Sequence, residues 1–485
     1  MSDDNTQEFV MTDELRKKAG ERPVFNILYV GDKDSYLSPF RGESMLRTFS
    51  EVYQTQAHIS YMTATPSYLS KIKLSQLENI NILWIDNVSD FHAAQKLNEI
   101  QSALLEEIRP GWREEVQALQ SDGDEDGAVE LIRNINKERE SKLKIIYSID
   151  EWVWEGPIGR AHDIQTVQVM ETYINMADVV VTPTQELRDA IQYYKFIADP
   201  DKPIWNIQSA LNSDFFQLYR DFSRKGGSRA DQLRSKPKVL IKGISMPENV
   251  QQFVVDNYKK MDITVCSVGE VNDHLMGLMQ NGKVNHIYHW ANPFVNRTNI
   301  NATYSIERDG SYDFVIHTKP DNLVGDLYEV TTGDEDILFA IASGALPICG
   351  IDHLGYDENS TNLAVTAGLT FGKDTNPKKI RQMIEAHMVP VTFNEKFNRC
   401  RSIVENRLAA SPLIGSRYFS LMLSDELRQA RNVLADESKV KEESFQEEQA
   451  ARQSVSEATK TASVDTQSDD DDKVIAVDFA TGEVK

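Results

Sequence analysis

KIIYSI, residues Lys144 to Ile149, and VVVT, Val179 to Thr182, decide how this chain is read. Both runs are short, rich in β-branched and aromatic residues, and lack polar–apolar alternation. That is the pattern of a strand buried on both faces of a parallel sheet. Between them Ile164, Val167, Met170, Ile174 and Ala177 recur at spacings of three and four, which predicts one buried helix face. Strand, helix, strand implies a doubly wound α/β sheet.

The same pattern extends outward. NILYV (Asn26 to Val30) and INILWI (Ile80 to Ile85) supply two more strands of this block. Beyond Arg220 to Pro237, rich in Arg, Lys, Gly and Ser, a second set follows at Lys238–Ile241, Ile263–Val268, Val284–Tyr288, Phe314–His317 and Leu346–Cys349. Helices are expected over Glu248–Lys260, Glu335–Ser343 and Pro377–His387, the last opened by a cap residue and a first-turn proline, Asn376-Pro377. The chain therefore divides into two Rossmann-like α/β domains, 21–215 and 236–385, with a charged helical insertion at about 104–142. Helices over 386–435 are expected to pack back across the pair. Ligands of such sheets bind outside the carboxyl ends of the strands, so two facing domains put the site in the cleft between them.

The 485 residues carry 75 acidic and 52 basic side chains, a net charge of −23. Residues 436–485 hold 14 acidic and 6 basic groups with almost no large apolar residue before the last dozen, so they are read as a disordered acidic tail. Residues 1–20 are read as a flexible arm. An acidic body without a basic stripe disfavours nucleic acid as a partner without excluding it. No apolar run approaches a membrane span, and MSDDNTQEFV has neither the basic nor the apolar part of a signal peptide. Cys266, Cys349 and Cys400 are widely separated, which argues against a disulfide scaffold or structural zinc and fits a cytoplasmic location.

Asp122-Gly-Asp124-Glu-Asp126-Gly127 resembles the start of a calcium loop, but its twelfth position is Arg133 rather than a bidentate carboxylate. We read an acidic turn between two solvated helices, about 104–120 and 128–142, and no metal site. The chemistry-bearing candidates lie at strand ends. Asp150 and Glu151 follow KIIYSI beside Trp152 and Trp154, placed for acid–base work or sugar binding. Arg41 lies in the loop after the first strand. Lys242-Gly243 ends the first strand of the second block, where a cation and bare backbone can meet a phosphate. Ahead of FAIASGALPIC, Thr331 and Thr332 can cap the following helix, while Glu329 and Glu335 can hold sugar hydroxyls.

Taken in order, IYSIDEW (Ile146–Trp152), MADVVVTPTQELRDAI (Met176–Ile191), WNIQSALNSDFF (Trp205–Phe216), FAIASGALPICG (Phe339–Gly350) and LTFGKDTNPKKIRQMI (Leu369–Ile384) resemble the GT-B glycosyltransferases, especially the retaining group 1 family, over about 26–430. The resemblance implies transfer of a sugar from a nucleotide-sugar co-substrate to an acceptor on the N-terminal domain. It implies retention of configuration, no metal and no other cofactor. The family's paired glutamates fall here on Thr331 and Phe339, and Lys242 and Lys319 stand in for its diphosphate-binding cations. The alternative is a GT-B-like binding or assembly protein without catalysis. In either case VIAVDFATGEVK, residues 474–485, is a candidate docking peptide for a protein partner, its alternation suiting strand addition.

Overall fold

The computed structural model describes residues 11–32, 42–150, 154, 164–193, 202–207, 233, 235–243, 246–267, 271–286, 312–318, 335–350, 369–372, 374–409, 411–425 and 427–439. They fall into two compact units, residues 22–424 and a smaller one that joins the two ends of the chain. In the smaller unit Asp13–Gly20 forms α1, capped by the Thr12 side chain. Arg16 pairs with Glu437 at 2.8 Å, and Arg431 donates to the carbonyls of Ala19 and Glu21. This corrects two expectations. Residues 13–20 are helical, not loose, and the helix holding Arg431 continues through 439, past the expected start of the tail at 436. The docking candidate 474–485 lies outside the described residues.

The larger unit contains two all-parallel six-stranded sheets. The first is built from β1 (Val24–Gly31), α2 (Gly42–Tyr53), β2 (His58–Ala64), β3 (Ile82–Asp86), α3 (Phe91–Ile108), α4 (Trp112–Ser121), α5 (Glu125–Lys142), β4 (Lys144–Ser148), α6 (Ile164–Met176), β5 (Val179–Thr182), α7 (Gln185–Tyr193) and β6 (Ile204–Asn206). Its strand order is β2-β1-β3-β4-β5-β6. Strands β3, β4 and β5 are buried almost throughout, as their unbroken apolar runs require. The helix face between β4 and β5 keeps Met170, Ile174 and Ala177 of the expected set buried and departs from it at the helix start. Val169, Met170, Tyr173 and Ile174 are buried, whereas Ile164 is 79% exposed at the helix start. Tyr173 joins this face, its ring stacked on Tyr147 at 5.4 Å. The expected insertion also begins later than 104. Helix α3 carries Ala93, Ala94, Leu97 and Ile100 into the core, so it is the crossover between β3 and β4 itself. The charged hairpin is α4 and α5, with Asp124 accepting from Gly127 N–H to cap α5.

The second sheet comprises β7 (Lys238–Gly243), α8 (Glu248–Asn257), β8 (Asp262–Ser267), α9 (Asp273–Gln280), β9 (Asn285–His286), β10 (Phe314–Thr318), α10 (Glu335–Ala342), β11 (Leu346–Gly350), β12 (Thr370–Phe371) and α11 (Pro377–His387). Its order is β12-β11-β10-β7-β8-β9. The Asn376 side chain caps α11 and Pro377 occupies its first turn. Helix α12 (Pro390–Ala409) inserts Phe393, Phe397 and Cys400 into the second core. Helix α13 (Ser411–Met422) instead meets the first sheet, with Phe419 5.6 Å from Phe25 and Tyr418 5.1 Å from Trp84. Just beyond it the Leu423 carbonyl accepts from buried Lys144.

One device fixes register three times. The residue immediately before a strand turns its side chain onto a backbone N–H of the neighbouring strand. Asn81 accepts from Asn26, Asp178 from Ile145 and Asp313 from Lys238, at 2.7–2.9 Å. Each satisfies a donor at the amino edge of a buried sheet, where an unpaired N–H is costly. Asp178 also binds buried Arg139 through both carboxylate oxygens. Among the described residues, no helix is long and apolar enough to cross a membrane.

Candidate functional site

In a doubly wound sheet the ligand crevice opens at the carboxyl ends of the strands, where the strand order reverses. The first sheet reverses between β1 and β3. There Gly31 stands beside Asp86, and the Tyr29 hydroxyl donates to Asp86 Oδ2 at 2.5 Å. Asp86 is 4% exposed, so its carboxyl oxygens depend on such hydrogen bonds for the partners that water would otherwise supply. Trp84 Nε1 donates to Ser148 Oγ at 2.7 Å. The rings of Trp84 and Tyr418, with Tyr29, Asp86, Asp150 and Thr182, line a pocket of about 40 Å³. That is room for a few waters. Directly after β3, Asn87 adopts φ 51°, a left-handed conformation that asparagine tolerates better than most residues. Its N–H donates to the Ser148 carbonyl at 2.8 Å, so the end of β3 is fastened to β4.

The second sheet reverses between β7 and β10. Lys242 stands opposite His317, and Gly243 opposite Thr318. Lys242 is 5% exposed, Thr318 is also buried, and the Thr318 hydroxyl donates to the Lys242 carbonyl at 3.3 Å. The approach is so close that a Cβ at Gly243 would collide with Thr318 Oγ1 and its carbonyl oxygen. The row continues on either side, Cys266 beside Lys242 and Cys349 beside His317. Partners in register on parallel strands share a face, so these four side chains line one face of the sheet.

Of the residues read from sequence, Asp150 lines the first pocket, and Lys242 and Gly243 form the second edge. Glu335 is the first residue of α10. Arg41, Glu151, Lys319, Glu329, Thr331 and Thr332 lie outside the described residues. Phe339, where the resemblance puts a glutamate, is 4% exposed within the second core. Sequence reasoning missed Tyr29, Asp86, His317 and Thr318. Asp86 ends the run ILWID and was open to the argument that selected Asp150, a carboxylate at a strand tip. His317 had no such signal, because its significance comes from standing beside Lys242. Among the described residues, no group of three or more His, Cys, Asp or Glu is placed to hold a metal ion.

No protein-family model matches the sequence, and no curated protein matches it. Among solved structures, the chain is similar to a glycosyltransferase from Rickettsia africae at 14% identity and a TM-score of 0.44, covering 83% of this chain and 99% of that one. It is similar to HepE from Anabaena, solved with UDP-glucose, at 9% identity and a TM-score of 0.42, covering 81% and 99%. It is also similar to the UDP-GlcNAc 2-epimerase of Methanocaldococcus jannaschii at 9% identity and a TM-score of 0.34, covering 75% and 92%.

Proposed function

We propose that the chain is a metal-independent glycosyltransferase that moves a sugar from a nucleotide-sugar donor to an acceptor, with retention of configuration. The observation that carries the proposal is the buried Lys242 at the carboxyl end of β7, at the reversal point of the second sheet and next to a glycine. A cation in a low-dielectric edge stabilises the negative charge that grows on a departing diphosphate, and it needs no reorganisation to do so. Lys319, Thr331, Thr332, Glu329 and Glu335 are assigned to the same donor site, by the sequence argument alone. The first sheet is assigned the acceptor, with Asp150 orienting its hydroxyl and Glu151 and Arg41 assisting.

A second reading is favoured by Phe339. A buried phenylalanine replaces an acidic residue of the resembled donor site, as expected of a binding or assembly protein that has lost chemistry and acts through its C-terminal tail. A thermal-shift panel of nucleotide sugars separates the two. The enzyme reading predicts a selective rise in melting temperature, and transfer activity that persists in EDTA. No shift with any donor supports the binding protein, and activity lost in EDTA and restored by metal removes the metal-independent mechanism.

A further inference from the structure

The two strands that flank the reversal point of the second sheet end in different basic groups side by side. Lys242 belongs to β7 and His317 to β10, paired in register. Neighbouring strands lie ~4.8 Å apart, so one dianion can touch both side chains. Lys242 is buried, whereas His317 is half-buried with its Nε2 shielded from solvent. One row back on the same face are Leu240 and Val315, both fully buried and clustered with Ala340 and Ala345. An apolar floor of this kind strengthens any charge interaction above it. The titratable neighbours in the row are Lys242, Cys266 and Cys349. A diphosphate diester carries two negative charges, and within this row of described residues Lys242 offsets one.

Resting on the donor-site reading above, we propose that His317 is a further cation of that site beside Lys242, taking up a proton as a nucleotide diphosphate binds. A neighbouring lysine opposes a second positive charge, and the incoming dianion supplies the compensation. Donor affinity is then linked to protons through a residue that stands outside the sequence-derived site.

The test is calorimetric titration of UDP-glucose and GDP-mannose at about pH 6 and about pH 8, in buffers of different ionisation enthalpy. The diester diphosphate of these probes does not titrate in that range, so a pH dependence reports on the protein. In the unmodified protein, affinity is expected to fall about tenfold from the lower to the higher pH, with net proton uptake on binding. His317→Gln is expected to bind about tenfold more weakly at the lower pH and to lose both the pH dependence and the proton uptake. Its melting curve is measured alongside, and the unmodified protein's own pH profile decides the matter if the variant does not fold. A flat profile without proton uptake, with binding still weakened by Lys242→Ala, removes the role of His317 and leaves the donor site standing. Binding of neither nucleotide sugar removes the donor site and this inference together.

Discussion

The two sheets are alike at one end and opposite at the other. At the amino edge each uses a carboxylate just before a strand to bind the neighbouring strand's N–H, Asp178 in the first sheet and Asp313 in the second. At the carboxyl edge the reversal point of the first sheet holds the hydrogen-bonded pair Tyr29–Asp86 with Asp150 nearby, and that of the second holds Lys242 beside His317. The shared end is what any buried parallel sheet needs. The divergent end is where the proposed function places its ligands, because nothing in the packing of a doubly wound sheet dictates carboxyl groups and rings at one edge and basic groups at the other. An edge that gathers cations suits a diphosphate, and one that gathers carboxylates and rings suits a hydroxylated acceptor.

The largest expected effect breaks the likeness at the amino edges. Arg139 and Asp178 form a buried ion pair, and removing one partner strands the other's charge. Arg139→Ala is expected to lower unfolding free energy by about 3–5 kcal/mol in urea denaturation. A loss under about 1 kcal/mol would show that the pair is solvated in solution. Asp313 accepts from Lys238 N–H, and loss of that hydrogen bond in Asp313→Ala is expected to cost about 1–3 kcal/mol. Equal losses would mean that the hydrogen bond, not the ion pair, carries the first sheet's edge.

A smaller effect separates the helices that follow the sheets. Burial pushes the Cys400 thiol of α12 up to about 11 from 9.0. A thiol whose folded value is raised favours its protonated form, so its contribution is complete below pH 9.0 and is lost as the pH climbs toward about 11. Cys400→Ala should flatten that part of the stability profile. An unchanged profile would show that other groups control it. The smallest signal is kinetic. All three cysteines are buried thiols outside any disulfide, so none should react with a thiol reagent in the native protein at neutral pH, and all three should react once it is unfolded.

The strands were legible wherever both faces are buried, since ILWI, KIIYS and VVVT are unbroken apolar runs. The strand HISYMTA was not. It lies at the sheet edge with His58 and Ser60 exposed, and its mixed polarity resembles a loop. Helix α1 was illegible for another reason. DELRKKAG is polar on most of its surface, and its partners Arg431 and Glu437 lie more than 400 residues away. The same limit governs the site. Asp150 and Lys242 were visible as charged residues at strand tips, but strand order and register belong to the folded sheet. Only these place His317 beside Lys242 and Tyr29 against Asp86.

In the proposed function the second sheet's edge, and not the first's, holds the donor. Calorimetric titration of UDP-glucose into Lys242→Ala and Asp150→Asn, each confirmed folded by its melting curve, tests it directly. Affinity is expected to fall about tenfold or more in Lys242→Ala and to stay within about twofold in Asp150→Asn. Affinity that falls in Asp150→Asn and persists in Lys242→Ala would contradict it and move the donor to the first sheet.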